Sequence, residues 1–495
     1  MAVIFTTLKN NVRAIVLADA RGILALQVLI FGAAAVVLLA GFTVWLDVNI
    51  RAVQRESDRA IAFAIAEAGI EYYRWHLAHA STDYQDGTTS TGPFIHDYYD
   101  KDSVLLGTFT LDITPPILGS TIVTVKSTGK LAANSSVEKS IVVRLGIPSF
   151  AKYAAVLNAN VRFGQGTDVF GEIHSNQGVR FDGTAHNVVT SFVNNYDDPD
   201  HSGSNEYGVH THRNPPPSVT VNDNFRPLEA PTSTLQARTD VFLVGRELSV
   251  PFVDFSGVTQ DLADIRTAAS SSGFYMASST ALGYDVVLNT DDTFTLYRVM
   301  TRVSPPGGCS SGQSSWGTWS INTENLIGTY PIPANGLIFL EDDVWVRGQI
   351  NSARITIAAA RFPVNPTTYA NVTLNSDLRY TNYDGTDAIG IIAQNNVNIG
   401  LRSANVIRVD AALIAQNGRV GRHYYNSSCG AEYIRSTITT YGMIGSSQRY
   451  GFAYTNGTGY QIRNLNYDAN LLYGPPPSFP LTDDPYQIIS WDEIE

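Results

Sequence analysis

Charged residues are scarce in this chain of 495 residues, where they make up 16% of the composition. Acidic residues outnumber basic ones by 45 to 33, which gives a formal net charge of −12. No basic run is present that could displace counterions from a phosphate backbone. The composition therefore argues against a nucleic-acid partner.

Cysteine is also scarce, with two residues in the whole chain, Cys309 and Cys429. They lack the C-x-x-C spacing of zinc sites and thioredoxin-like redox sites. Both lie in turn-rich sequence, SPPGGCSSGQ and YYNSSCGAEY. In an oxidising compartment an even number of such cysteines predicts a disulfide, here between Cys309 and Cys429.

The chain lacks the short motifs that usually carry catalysis or cofactor binding. No HExxH, GxSxG, phosphate loop or dinucleotide fingerprint stands in a convincing context, so we predict no cofactor, no metal and no enzymatic activity. His210 and His212, in GVHTHRN, would share one face of a strand and could together bind a metal. We interpret them instead as an exposed loop pair.

Carboxylates are the remaining candidates for catalysis, because polysaccharide lyases and hydrolases on β-helices use Asp or Glu clusters with Arg. The candidate residues are Glu341, Asp342, Asp343, Arg354, Asp384 and Asp387. The alternative, which we favour, is that Asp342-Asp343 and Asp384-Gly385 form solvated turns.

One long apolar run is present, at residues 23–46, and Gly22 stands directly before it. At about 1.5 Å per residue this run is long enough to cross a bilayer as a helix. Lys9, Arg13 and Arg21 precede it, so the positive-inside rule places the N-terminus in the cytoplasm and the bulk of the chain outside the inner membrane. A secretory signal peptide would have a shorter apolar region with the small residues after it.

A polar, basic leader that ends in Gly against an apolar helix resembles a type IV prepilin. The resemblance implies that a prepilin peptidase cuts after Gly22 and leaves Ile23 as the mature N-terminus. The AEAGIEYYR sequence of residues 66–74 resembles the end of the long helix in PilX-like minor pilins and pseudopilins. At the fifth residue after the cut, a filament-contact position, the family usually has Glu and this chain has Gln27. A plain signal-anchor helix remains the alternative.

Beyond the helix, the hydrophobic period changes to two in GTFTLDIT, STIVTVKSTGK and SVEKSIVVRLGI, which predicts strands of an antiparallel sheet. Farther along, NANVRFG at residues 158–164 recurs as NQGVRF at 176–181, and IIAQN at 391–395 recurs as LIAQN at 413–417. Such short apolar strands with Asn and Gly turns predict stacked coils of a parallel β-helix.

The predicted fold is therefore α+β and then mainly β. A long transmembrane helix packs on a small antiparallel sheet, followed by a right-handed parallel β-helix-like solenoid with an α/β insertion. The expected segments are a leader (1–22), the transmembrane and amphipathic helix (23–80), the pilin-like sheet (104–147), the first coils (150–183), the insertion (184–335), and the β-helix with its C-terminal cap (336–495).

The last 166 residues, 330–495, resemble the β-helical ectodomain of PilX-type proteins. Together the resemblances imply a minor pilin-like subunit of a type IV pilus or related filament, at a tip or priming complex, with a head for binding or adhesion. The implied partners are the major pilin, other minor pilins, prepilin peptidase, the lipid bilayer, and glycans or other cell-surface ligands. The alternative function is a membrane-anchored carbohydrate-active enzyme on a β-helix.

Overall fold

A computed structural model describes residues 3–255, 257–482 and 484–494, with side chains described for 23–255, 262–482 and 484–494. It contains the long helix α1 (Val3–His79) and, in the second half of the chain, the helix α2 (Gly257–Ser272). α2 contains the sequence DLADIRTAAS and supplies a helix to the stretch 184–335, where an α/β insertion is expected.

Strands make up most of the remaining regular structure. In chain order they are β1 (Phe94–Tyr99), β2 (Leu105–Thr114), β3 (Val123–Leu131), β4 (Glu138–Gly146), β5 (Ala155–Leu157), β6 (Val161–Phe163), β7 (Thr167–Phe170), β8 (Ile173–Ser175), β9 (Val179–Phe181), β10 (Thr184–Ala185), β11 (Val189–Ser191), β12 (Asn195–Tyr196), β13 (Glu206–Tyr207), β14 (Val209–His210) and β15 (Arg246–Leu248). They continue with β16 (Phe274–Met276), β17 (Gly283–Leu288), β18 (Thr293–Arg302), β19 (Ile321–Pro331), β20 (Leu337–Leu340), β21 (Val344–Gln349), β22 (Arg354–Ala359), β23 (Val372–Thr373), β24 (Leu378–Arg379), β25 (Ala388–Ala393), β26 (Val397–Ile399), β27 (Val406–Ala415), β28 (Val420–Arg422), β29 (Ile434–Ser446), β30 (Gly459–Tyr467) and β31 (Gln487–Ile494).

The chain divides into two compact units. The first comprises residues 1–114, 125–143 and 490–495, and the second comprises 115–124 and 144–489. A five-stranded sheet has the order β1-β2-β3-β4-β31, with β1 and β2 antiparallel. The sequence predicts β2, β3 and β4, but it assigns the region of β1 to a loop and does not predict that β31 joins this sheet.

In the first unit, one face of the second half of α1 is buried. Its buried side chains recur every three or four residues, as the helical period requires: Ala62, Ile65, Ala66, Ile70, Tyr73 and Leu77. Gly129 of β3 lies so close to this face that a Cβ atom there would overlap the backbone of Ala62 and Ala66. Small residues on both sides thus allow the helix to contact the sheet backbone closely.

The second unit is built on parallel strand pairs. Its longest continuous series has the order β16-β20-β22-β25-β27-β29-β5-β8-β11-β15. Both sequence repeats pair in register: Val161 lies opposite Val179, and Ile391 lies opposite Leu413. β17 and β18 form an antiparallel hairpin with Thr290-Asp291-Asp292 at its turn.

The expectation of a long helix followed by a mostly β domain with many parallel strands is therefore confirmed. Among the described residues no sheet closes on itself. Strands of the stretch 184–335, including β11 and β16, pair in parallel with strands outside that stretch. The core of this unit consists of Ile, Val, Leu and Phe side chains contributed by successive strands.

Candidate functional site

The part of α1 from Ile23 to Val53, which we call its first half, carries an exposed apolar surface. Between Ile23 and Val53 its large hydrophobic side chains are all well exposed, with Leu38 reaching 73%. The helix is long and apolar enough to cross a membrane, and it fits a membrane anchor. Gln27 is exposed on this surface. The side chains of residues 3–22 lie outside the described part, so cleavage between Gly22 and Ile23 remains a prediction.

Two of the carboxylates predicted as catalytic candidates accept hydrogen bonds from nearby backbone N–H groups. Asp342 is buried, and its Oδ2 accepts hydrogen bonds from the backbone N–H of Ser279 at 2.9 Å and from the Ser279 hydroxyl at 2.6 Å. Asp387 is also buried and accepts from the backbone N–H groups of Ala353, Thr381 and Asn382 at 2.7–3.0 Å. The interpretation of Asp342 as part of a solvated turn is wrong, because it is buried.

The other candidates also lie in local contacts, and Arg361 forms ion pairs with Asp342 at 2.5 Å and with Asp343 at 3.4 Å. Glu341 pairs with Arg266, and Asp343 accepts from the backbone N–H of Asn371 at 2.8 Å. Asp384 is exposed and accepts from Thr386, as expected of a turn residue. Arg354 donates to backbone carbonyls, including those of Gly474 and Pro475 at 2.6 and 2.7 Å.

A different group of titratable residues does converge. His201, His210 and His212 meet Asp198 and Glu206, and we call these five residues the His-carboxylate cluster. His210 and His212 are fully buried. Their interpretation as an exposed loop pair is therefore wrong, because β14, which carries His210, and the residues directly after it lie in the interior.

Short strands and their connection position the cluster. Glu206 lies on β13 and His210 on β14, while Asp198 and His201 lie in the segment between β12 and β13. β14 pairs in parallel with β9, which places His210 opposite Arg180. The parallel series β6-β9-β14 thus fixes the backbone on one side of the cluster.

Three imidazole rings approach one carboxylate oxygen. The Nε2 atoms of His201, His210 and His212 lie 2.9, 3.0 and 2.9 Å from Glu206 Oε2. The same three atoms lie 3.7, 3.4 and 3.9 Å from Asp198 Oδ2. Both carboxylates are buried.

The opposite ring nitrogens identify the tautomers of two histidines. Nδ1 of His210 lies 3.1 Å from the backbone carbonyl oxygen of Tyr207, and Nδ1 of His212 lies 2.9 Å from that of Asn222. A carbonyl oxygen only accepts hydrogen bonds, so both Nδ1 atoms carry a proton. In the neutral rings, the Nε2 lone pairs therefore face the carboxylates.

Charge around the cluster is unevenly balanced. Arg180 is buried and pairs with Asp182 at 2.9 Å and with Asp223, while its distance to Asp198 is 3.5 Å. Glu206 accepts from the backbone N–H of Arg226 at 2.7 Å, and in the described chain its ion-pair partners are the three histidines. Burial opposes a charged His210, but the close approach of Asp198 and Glu206 outweighs it and raises its pKa to about 9. Burial also opposes ionisation of the two carboxylates, but the neighbouring His210 holds their pKa values well below the ordinary range.

The sequence pattern identifies part of this cluster. The H-x-H spacing selects His210 and His212, but Asp198, His201 and Glu206 were not singled out. Their only signal is the density of Asp, His and Glu in DDPDHSGSNEYGVHTH, residues 197–212. A polar run of this kind is typical of a solvated loop, so composition alone does not indicate burial.

A polar cleft of about 680 Å³ lies beside the ion pairs that surround the His-carboxylate cluster. Arg162, Asp200, Asp223 and Arg449 belong both to its lining and to those ion pairs. Arg449 pairs with Asp200, and Arg162 pairs with Asp223 at 2.8 Å. The arginines of this stretch of the cleft are thus engaged with carboxylates.

Cys309 and Cys429 form a disulfide, with their Cα atoms 4.5 Å apart and 120 residues between them in sequence. Leu401, Tyr425 and Trp316 pack around it. The bond joins the segment between β18 and β19 to the segment between β28 and β29.

Comparisons with known proteins add little. No family model and no curated protein sequence matches the chain. Among solved structures, the crystal structure of the competence-associated pilin ComZ from Thermus thermophilus matches at 13% identity and a TM-score of 0.31. The match covers 88% of this chain and 97% of that one. A likeness at this TM-score supports no inference about fold or function.

Proposed function

We propose that this protein is a membrane-anchored minor pilin-like subunit of a type IV pilus or related filament. The observation that carries the proposal is the division of α1 into two parts. Its apolar first half is exposed, and one face of its second half, from Ala62 to Leu77, is buried in the unit that contains the small sheet. A single helix that serves a membrane or filament at one end and a globular unit at the other is the arrangement implied by the resemblance to prepilins.

The second unit serves in this proposal as an extracytoplasmic head with stacked solenoid coils. Support comes from the register of the repeats. Ile357, Ile391, Leu413 and Ile444 occupy successive positions in the parallel series β22-β25-β27-β29. Each strand thereby places an apolar side chain against the equivalent side chain of the next strand.

Binding is the role that we propose for the head, with glycans or other cell-surface molecules as the ligand class. The chain has 25 Tyr residues, and those of the head with an exposed side chain, such as Tyr383, supply amphipathic contact area of the kind that favours recognition. The burial and backbone hydrogen bonds of Asp342 and Asp387 support a non-enzymatic role. Polysaccharide cleavage that disappears on Asp387→Asn, in a variant that still folds, would contradict this part of the proposal.

Low copy number follows from Gln27. In pilin-type filaments, the Glu at this position resembles a counter-charge for the N-terminal ammonium of a neighbouring subunit. Loss of one partner of a buried ion pair costs about 3–5 kcal/mol, and an amide oxygen replaces part of that interaction. A repeating shaft would incur this cost at every contact, whereas a subunit at a tip or priming complex incurs it once at most.

Quantitative mass spectrometry of sheared filaments tests the proposal. We expect this chain at a small fraction of the abundance of a shorter major pilin. Gln27→Glu is expected to raise its incorporation, while Gln54→Glu, a matched change at another exposed site on α1, leaves incorporation unchanged. If this chain is the dominant subunit, or if it is absent from filaments, the proposed role is wrong.

A further inference from the structure

We propose that the His-carboxylate cluster binds a divalent first-row transition metal ion such as Zn²⁺, through Asp198, His201, Glu206 and His212. These four side chains each place one ligand atom within 4.8 Å of the others, which leaves the donors around one common centre. His210 lies against both carboxylates and completes the cluster. This site is independent of the proposed role in a filament.

The orientation of the rings supports metal binding over a network of neutral hydrogen bonds. Because Nδ1 of His212 donates to a backbone carbonyl, its Nε2 lone pair points at Glu206 Oε2. A lone pair facing a carboxylate oxygen at 2.9 Å is repulsive unless a proton or a metal ion lies between them. A ring held by a carbonyl at Nδ1, with Nε2 free, is the usual arrangement of histidine ligands to metals.

Buried polar atoms without partners give a second, independent indication. His210 Nε2 and Asp198 Oδ2 both point into the cluster and have no hydrogen-bond partner within the described chain. Both residues are more than nine-tenths buried. Buried polar groups in folded proteins are nearly always satisfied, so two such atoms, 3.4 Å apart, indicate a missing partner between them.

Charge balance points to a dication. Asp198 and Glu206 bring two negative charges into the interior, and Arg180, which lies 3.5 Å from Asp198, is shared with Asp182 and Asp223. The imidazole rings of His210 and His212 lie close together beside these carboxylates, with centroids 5.1 Å apart. One divalent ion balances the two carboxylates and uses the Nε2 lone pairs as ligands.

The donor set selects the class of metal. Imidazole nitrogens suit Zn²⁺, Ni²⁺, Cu²⁺ and Fe²⁺, whereas Mg²⁺ and Ca²⁺ prefer oxygen ligands alone. Zn²⁺ is a borderline-soft ion that accepts both histidine and carboxylate ligands, so a thiolate is not needed at this site. Because the ligands come from β13, the segment before it and the residues directly after β14, a bound ion would fasten that segment to the parallel strands.

Metal analysis of the full-length chain in detergent is the test. After treatment with a chelator, Zn²⁺ titration by calorimetry is expected to show about one equivalent bound. Zn²⁺ at about 100 times its dissociation constant is expected to raise the Tm by about 3–5 °C. Co²⁺ is expected to bind with visible absorption bands of a low-symmetry nitrogen and oxygen site.

Matched variants separate this site from adventitious binding. His212→Gln and Glu206→Gln are expected to abolish the tight equivalent, while His174→Gln retains it. His174 is an equally buried histidine that contacts Thr190 and Asn176 outside the cluster. If the wild-type chain binds no Zn²⁺ tightly and its Tm is unchanged by chelator, protonated histidines neutralise the carboxylates and the proposal is wrong. Retention of the equivalent in both cluster variants would equally overturn it.

Discussion

His423 is a buried side chain that makes the unfolding free energy of the second unit depend on pH. It is 1% exposed, and within the described chain neither of its ring nitrogens has a hydrogen-bond partner. Burial lowers its pKa to about 3, with further lowering from the neighbouring Arg419 and Arg422. The ring is therefore neutral in the folded protein.

The sign of the pH dependence follows from this depressed pKa. Between pH of about 6.5 and 3 the unfolded chain binds a proton at this site and the folded chain does not, so stability falls as the pH falls. Between pH 7 and pH 5, we expect the unfolding free energy of the wild type to fall by about 2 kcal/mol more than that of the His423→Leu variant. Guanidinium unfolding followed by tryptophan fluorescence measures this difference. His186→Gln, at a partly exposed histidine, serves as the control and is expected to keep the wild-type slope.

The disulfide makes a separate prediction at the residue scale. It closes a loop of 120 residues, for which chain-entropy models give about 4–5 kcal/mol before any native-state strain. We expect Cys309→Ser with Cys429→Ser to reduce the unfolding free energy by about 2–4 kcal/mol. Denaturant unfolding of the double variant measures the loss. Unchanged stability, after peptide mapping has shown the bond in the wild type, would contradict the prediction.

Residue patterns in the sequence predicted only part of the His-carboxylate cluster. The H-x-H spacing marked His210 and His212, because alternation on a strand is visible in sequence. Their partners were not predicted, since Asp198 and His201 come from a polar connection whose burial depends on its neighbours. Asp342 illustrates the same limit of sequence-based prediction. The pair Asp342-Asp343 is typical of a solvated turn, and only the hydrogen bond from Ser279 shows that Asp342 is engaged in the interior.

At the scale of elements, the contact of α1 with β3 depends on the absence of a side chain at Gly129. A Cβ atom there would overlap the backbone of Ala62 and Ala66, which cannot move without shifting the helix. We expect Gly129→Ala to cost about 1–3 kcal/mol through overpacking. Thermal unfolding of the full chain tests this prediction. Gly164→Ala is the control, because nothing lies within 4 Å of a Cβ atom at that position. Equal melting of the two variants would refute the proposed close contact.

Sequence periodicity located elements better than it located their neighbours. Alternating residues predicted β2, β3 and β4, and the repeats predicted the pairing of β6 with β9 and of β25 with β27. Periodicity did not predict the order of the strands in the long parallel series. β5 lies between β29 and β8, although nearly 280 residues separate β5 from β29 along the chain. Such pairing is fixed by tertiary packing, which a local pattern does not encode.

At the scale of the whole molecule, one helix serves two environments. Its first half presents Leu, Ile, Val and Phe side chains that are stable only in lipid or within a bundle of similar helices. Its second half buries a narrow apolar face in the first unit. A filament subunit needs both parts, because the apolar half must leave the bilayer while the folded unit stays attached to it.

The N-terminus of the mature protein tests this account most directly. N-terminal sequencing of the chain from membranes and sheared filaments is expected to begin at Ile23 in cells with an active prepilin peptidase. The same analysis in cells lacking the peptidase, or of a Gly22→Leu variant, is expected to show the uncut leader. A chain that keeps residues 1–22 in the presence of active peptidase would contradict the account and leave a plain signal-anchor helix.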